Sequence, residues 1–250
     1  MIDIILKKRW GEFIIQTAFL VQGATVVALF GQSGAGKTSV INMISGLINP
    51  DEGHISINGH CLFDSQKGIC LPPEKRRFGY VFQDGRLFPH LTVRSNLSYG
   101  MKSTASHERY VTFDKVVGLL GIENLLHRHP ANLSGGEKQR VAIGRALLTS
   151  PEGLLMDEPL ASLDRARKEE VLPFIDQLHR EFSIPILYVT HDLDEIWALA
   201  DSMVFLHSGK TVAVGSVEDV TSRADFLYLT NRNKVGSLSP KKTNYIKFVS

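Results

Sequence analysis

The stretch GQSGAGKTS, Gly31 to Ser39, follows the apolar run TVVALF. Glycines at 31, 34 and 36 let the backbone bend so closely that successive N–H groups converge on one point. Such a nest attracts an anion, and a helix starting near Gly36 adds its positive N-terminal end. The spacing Gly31-x-x-x-x-Gly36-Lys37-Thr38 is that of the phosphate-cradling Walker A loop, set between a strand and a helix. The implied anion is a nucleoside triphosphate. Gln32, Ser33, Gly34, Ala35 and Ser39 complete the loop, Lys37 reaches the β and γ phosphates, and the Thr38 hydroxyl ligates Mg²⁺.

The rest of the pattern supports such a frame. IDIIL, EFIIQTAFL and TVVALF read as strands, and the segment after Lys37 has helical spacing at Val40, Ile44 and Leu47. HISING and HCLFD form a hairpin around Asn58-Gly59. FGYVFQ is a short strand, and most of 86–149 reads as helical, with loops at 87–91 and 129–135. Leu154-Leu155-Met156 is a buried-type strand. Arg165 to Phe182 is an amphipathic helix in which Pro173 predicts a kink or an adjusted start. Ile184 to Thr190 is a strand, a helix follows from Asp192, and a last strand pair lies near 203–206 and 211–214. Strands alternating with helices predict an α/β fold, a mostly parallel core with antiparallel strands added at the N-terminal end.

Composition narrows the function. The formal charge of +2 gives no bulk attraction to nucleic acid. The basic cluster Glu74-Lys75-Arg76-Arg77 reads as a solvated loop. The two cysteines, Cys61 and Cys70, have no metal-ligand spacing and read as inert thiols. MIDIILKKRW is too short and too charged for a signal peptide, and no apolar run approaches the roughly 20 residues of a membrane span. The expectation is a cytosolic protein that reaches a membrane only by docking to another chain.

A second phosphate-site element is Gly153-Leu154-Leu155-Met156-Asp157-Glu158. A carboxylate ending an apolar strand needs a cation, and Asp157 fits Mg²⁺. Glu158 is placed to activate the attacking water as a general base. Leu133-Ser134-Gly135-Gly136-Glu137-Lys138-Gln139-Arg140 repeats the opening logic, a hydroxyl and two glycines ahead of a helix. With this stretch the sequence resembles the nucleotide-binding subunits of ABC transporters, whose signature is LSGGQ; Glu137 replaces the last residue. The resemblance covers about residues 1–220. It implies a RecA-like P-loop NTPase core with an antiparallel β subdomain and an inserted helical subdomain over about 86–150. Gln83 matches the Q-loop glutamine that touches Mg²⁺ and the attacking water. Ala161-Ser162-Leu163-Asp164 matches the D-loop at the dimer seam, and His191 matches the switch histidine at the γ-phosphate. Trp10 resembles the aromatic residue that stacks on adenine, with Phe13 as the rival and a core role open for either.

In that family two copies pack head to tail, each ATP lying between Walker A of one and the signature of the other. The implied partners are a second copy, a transmembrane permease and, indirectly, a solute-binding protein. The implied place is the cytoplasmic face of the inner membrane. DGRLFPHLTVRSNL is the candidate docking segment, through Phe88, Pro89 and Leu91, with local packing as the other reading. GKTS and GRLFPH resemble the ATP-binding subunits of molybdate importers, which implies molybdate or tungstate. Sulfate or iron(III) import, or a soluble non-transport ABC ATPase, are the alternatives; a kinase or GTPase leaves LSGGEKQR and His191 unexplained. Residues 221–250, polar and Lys-rich, read as a flexible tail or the stub of a C-terminal oxyanion-binding domain.

Overall fold

The computed structural model of the chain describes residues 1–23, 26–102 and 104–230. Its strands are β1 (Ile2–Trp10), β2 (Phe13–Val21), β3 (Val26–Phe30), β4 (Glu52–Ile57), β5 (His60–Asp64), β6 (Ile69–Cys70), β7 (Phe78–Val81), β8 (Gly153–Asp157), β9 (Ile186–Thr190), β10 (Ser202–His207) and β11 (Lys210–Ser216). They form one sheet in the order β6-β5-β4-β1-β2-β11-β10-β3-β9-β8-β7. The run β10-β3-β9-β8-β7 is parallel, whereas β6, β5, β4, β1 and β2 pair antiparallel. The two arms meet at β2 and β11, where Lys210 pairs with Gln16 and the Thr211 hydroxyl bonds Thr17 and Ala18.

Alternation within the buried strands sorts side chains onto two faces. Val27, Leu29, Leu155, Leu187 and Val189 pack with helix α1 (Lys37–Ser45) and the inner face of the antiparallel arm. Val26, Leu154, Met156, Ile186 and Tyr188 pack in the other large cluster. That cluster includes residues of α2 (Val93–Met101), α3 (Phe113–Leu120), α4 (Gly135–Leu147) and α5 (Arg165–Phe182). Helices α2 to α4 lie in the chain between β7 and β8, joined by short 3₁₀ turns. A third cluster joins Phe30 and Phe205 to α6 (Leu193–Leu199), α7 (Val217–Thr221) and α8 (Ala224–Leu229).

Several local expectations shift. The FGYVFQ strand ends at Val81, and α1 stops at Ser45 because Gly46 takes the left-handed conformation at φ 85°, leaving Leu47 53% exposed. Pro173 lies inside α5, which neither starts nor stops there. The basic cluster is not all solvated. Arg76 is 1% exposed, and its guanidinium donates to the carbonyls of Leu71, Met43 and Ile44 at 2.7, 2.7 and 2.9 Å. A cation thus closes the negative end of α1. Packing also continues past Val220. Phe226 is 1% exposed against Phe30 and Phe205. The rest of the expected tail, 231–250, lies outside the described residues.

Candidate functional site

The parallel strands place the chemistry, because their C-terminal ends open on one crevice. The Walker A loop leaves β3, Asp157 ends β8, His191 follows β9 and Gln83 follows β7. Gly31 has no alternative: a Cβ there would collide with the Leu206 carbonyl of β10. Gly34 and Gly36 stand at φ 80° and 99°, the left-handed turns that aim the loop into α1. The Gly209 N–H donates to the Ala35 carbonyl at 3.0 Å, tying the loop to the β10–β11 turn. Lys37, 5% exposed, donates to the carbonyls of Gly31 and Gln32 at 2.9 and 3.1 Å. Ser33 and Gly34 are exposed at the loop's rim, and Ser39 is half-buried in the first turn of α1.

Thr38 Oγ1 donates to Asp157 Oδ1 at 3.0 Å, so two of the three expected Mg²⁺ ligands already meet. Burial pushes the Asp157 carboxyl above its usual range; the Thr38 bond pulls the other way, and neighbouring Glu158 adds repulsion. Tyr80 Oη lies 3.5 Å from Asp157 Oδ2 and donates to Asn42 Oδ1 at 2.8 Å. Burial raises the Tyr80 phenol, with Asp157 adding to it, so it stays a donor.

Glu158 sits between the other two expected groups. Its Oε1 is 3.5 Å from Lys37 Nζ and its Oε2 is 3.1 Å from His191 Nδ1. Its backbone takes φ 46°, a strained position for a residue with a Cβ, costing roughly 1–3 kcal/mol. Its N–H donates to the Val189 carbonyl at 3.0 Å, which fixes the turn. A pocket of about 320 Å³ opens here, lined by Phe30, Gly31, Gln32, Ser33, Glu158, His191 and Thr230.

Beneath His191 lies a buried polar network that sequence reading missed. Glu195, 2% exposed, accepts from Tyr188 and Thr190 hydroxyls at 2.8 Å each. Lys168 of α5 stands 2.7 Å from both Glu195 and Asp192. Burial pulls the Lys168 ammonium down, but its bonds to Asp192 and Glu195 outweigh that and raise it. These residues flank His191, and Lys168 lies one turn into the helix capped by Asp164, whose carboxylate accepts from the Arg167 N–H at 3.1 Å.

The glycine-rich signature is built as a helix start. Ser134 Oγ accepts from the Glu137 N–H at 3.3 Å, and Glu137 Oε2 accepts from the Ser134 N–H at 2.7 Å, a capping box. The Ser134 bonds hold the Glu137 carboxyl below its usual range. A Cβ on Gly135 would stand 2.7 Å from Leu163 Cδ2, so the D-loop packs on this glycine, while Gly136 is buried beside Val171. Ser134 is exposed, and none of Ser134 to Glu137 lines the Walker A pocket.

Gln83 is exposed, and among the described residues no side-chain hydrogen bond holds it. The segment after it is held from α4: Arg145 donates to the carbonyls of Arg86 and Gly85 at 2.8 and 2.9 Å. Asn96, fully buried, accepts from the Phe88 N–H at 2.8 Å and donates to the carbonyls of Phe88, Leu91 and Thr92 at 3.1 Å. One side chain thereby shapes the FPHLT loop. Trp10 pairs with Phe13 across the β1–β2 turn, each 38% exposed. Phe13 reaches the phosphate loop: its Cζ lies 3.7 Å from where a Gly36 Cβ would stand. Trp10 instead has Lys8 Nζ 5.8 Å from its ring centre.

Two glycine-rich helix starts, a Thr38–Asp157 pair and a Lys37–Glu158–His191 line describe a nucleotide-handling cassette, and the family model described as "ABC transporter" matches residues 16–161. The chain belongs to the ABC transporter family. It is 59% identical over 238 residues to the "Molybdenum import ATP-binding protein ModC" of Paramagnetospirillum magneticum, covering 95% of this chain and 65% of that protein. It is 57% identical over 242 residues to the protein of the same description from Rhodospirillum rubrum, covering 97% and 65%. The chain therefore spans just under two thirds of the length of these relatives. A solved "ATP binding subunit of ABC transporter" superposes with a TM-score of 0.73 at 28% identity, over 90% of this chain and 94% of that one. A dimeric ATP-binding cassette in a post-hydrolysis state, bound to ADP and Pi, gives 0.70 at 25% identity over 87% and 99%. No helix among the described residues is long and apolar enough to cross a membrane.

Proposed function

We propose that this chain is the ATP-hydrolysing subunit of an importer for molybdate or its analogue tungstate. It works as a head-to-tail dimer beneath a transmembrane permease, at the cytoplasmic face of the inner membrane, with a solute-binding protein delivering the ion. The observation that carries the chemistry is the Lys37–Glu158–His191 line beside the Thr38–Asp157 pair. The names of the relatives at 59% and 57% identity carry the substrate.

The Walker A loop, Gly31 to Thr38, holds the phosphates through backbone N–H groups, and Lys37 Nζ leaves its carbonyl partners for the γ-phosphate. Trp10 or its cross-strand partner Phe13 stacks on the base. Thr38, Asp157 and Gln83 would hold Mg²⁺; Asp157 fits, being a buried carboxylate disfavoured in its charged form without a cation. When bound, the ion neutralises charge on the β and γ phosphate oxygens. Water attacks phosphorus, the bond to the β–γ bridging oxygen breaks, and the water proton passes to the Glu158 carboxylate. His191 holds Glu158 in place and bonds the γ-phosphate. General-base action of this kind contributes about 10²–10⁴ in rate.

Ser134, Gly135 and Gly136 complete the site from the second copy, at the positive end of α4. Their position away from the Walker A pocket supports this reading. Arg145 ties α4 to Gly85 and Arg86, so dimer closure moves the docking segment shaped by Asn96. The direct experiment reconstitutes the protein with its permease and solute-binding protein and measures ATP hydrolysis. Molybdate or tungstate should stimulate it and sulfate should not. Stimulation by sulfate alone refutes the substrate, and indifference to the permease refutes the transport role.

A further inference from the structure

The antiparallel arm carries a second cluster of chemistry-bearing side chains, remote in the sheet from the parallel strands that bear the nucleotide site. We propose that His54, Cys61 and Asp64 form a binding site for a zinc-type divalent cation on the outer face of the β4–β5 hairpin. One ligand atom from each residue lies within 4.8 Å of the others. His54 Nδ1 is 3.5 Å from Asp64 Oδ2 and 3.9 Å from Cys61 Sγ. Ligand bonds of zinc length at tetrahedral angles put nitrogen about 3.4 Å from oxygen and about 3.6 Å from sulfur. These two separations are therefore close to those around a bound ion, and the third, Cys61 Sγ to the Asp64 carboxylate, lies within 4.8 Å and shortens on binding.

The backbone explains why the sequence conceals this site. His54 pairs directly with Asp64, and Ile55 with Phe63. Strict alternation would then oppose Ser56 to Leu62 and turn Cys61 to the opposite face. Instead the register shifts between Ile55 and Ser56, so that Ser56 opposes Cys61. Such a bulge re-aims a side chain, and here it sets the thiol beside His54. Outer-shell support is present for the carboxylate. Asp64 Oδ1 accepts from the Gln66 and Lys67 N–H groups at 3.0 Å each, leaving Oδ2 for the ion. A surface groove of about 970 Å³, lined in part by His54 and Asp64, gives a path of entry. Three protein ligands leave the fourth position open to water.

One cation competes. Lys67 Nζ lies 3.3 Å from Asp64 Oδ2, but its side chain is 68% exposed and free to swing away. The bound ion displaces it and takes the Cys61 thiol proton into solvent, leaving a thiolate ligand. The site is proposed for binding alone, with no chemical step.

The test titrates Co²⁺ into the nucleotide-free, metal-stripped full chain and reads the near-ultraviolet thiolate-to-cobalt band. The band should saturate at one equivalent and disappear on adding Zn²⁺. It should be lost in Cys61→Ser and kept in Cys70→Ser. His54→Ala and Asp64→Asn should each weaken binding by at least about tenfold, and Lys67→Ala should tighten it. Circular dichroism checks that each variant is folded. A folded protein with no band, a band surviving Cys61→Ser, or a band lost in Cys70→Ser overturns the proposal.

Discussion

Replacing Asp157 with Asn should stabilise the nucleotide-free protein while removing its Mg²⁺-dependent activity. Asp157 is 9% exposed and lies beside Glu158, whose charge repels it. Burial raises its carboxyl in the folded state, so the charged form is less favourable there than in the unfolded chain. Asn keeps an acceptor for Thr38 but loses the charge assistance of that one good bond, about 1 kcal/mol. Against this, it abolishes the desolvation of a buried charge, several kcal/mol per ion before partners are counted. A net gain of about 1–2 kcal/mol follows. For a chain of this size that is a rise in Tm of roughly 2–8 °C. The sign with pH is fixed. A raised folded-state value means that the stability associated with protonated Asp157 is present below the unfolded value and lost as pH rises through the folded one. The advantage of the variant should therefore be full at neutral pH and shrink in acid, where the wild-type carboxyl takes up a proton. Thermal melts in chelator from acid to neutral pH measure this. A variant that melts below wild type at neutral pH, or an advantage that grows in acid, refutes the reasoning.

Other expectations follow from particular contacts. Ser134→Arg should abolish hydrolysis yet leave fluorescent-nucleotide binding to the monomer intact, because the lesion falls in the partner copy's site. Arg76→Met should cost about 3–5 kcal/mol in urea denaturation, since three carbonyls lose a buried charged donor; a loss under about 1 kcal/mol contradicts its role at the end of α1. Lys168→Met should cost about 3 kcal/mol, the low end for a broken buried pair because the Lys168 side chain is 19% exposed. It should also lower kcat more than it weakens ATP binding. Equal loss of both would mean that the network does not position His191.

What was legible in the sequence was whatever is encoded by local spacing. Gly31, Gly34, Gly36 and Lys37 sit close together in the chain, and the turn they build needs no distant partner to be recognised. Asp157 and Ser134 were legible because an apolar strand ending in carboxylates and a hydroxyl ahead of two glycines each have a local rationale. Arg76 was misread because its partners, Met43 and Ile44, are more than thirty residues away and its neighbours Glu74, Lys75 and Arg77 are exposed. Arg145 was missed for the same reason, its carbonyl partners on Gly85 and Arg86 being equally remote in the chain. Asn96 and Glu195 have near neighbours as partners, Phe88, Leu91 and Thr92 for one and Tyr188 and Thr190 for the other, but those bonds depend on a loop and a strand-to-helix turn that leave no periodic trace. Phe226 lay beyond the point where motif resemblance fades, although the aromatic run in ADFLYL was a signal for one more packed helix. Cys61 was hidden by a one-residue bulge, which no pattern of alternation reveals.

The central claim is that each nucleotide is enclosed by two copies of this chain. Light scattering of Glu158→Gln with ATP and Mg²⁺, combined with nucleotide counting, tests it most directly. The account predicts a particle of about twice the 27.8 kDa chain mass holding two ATP, reverting to single chains when nucleotide is removed. A particle of one chain mass with its ATP fully retained would contradict it.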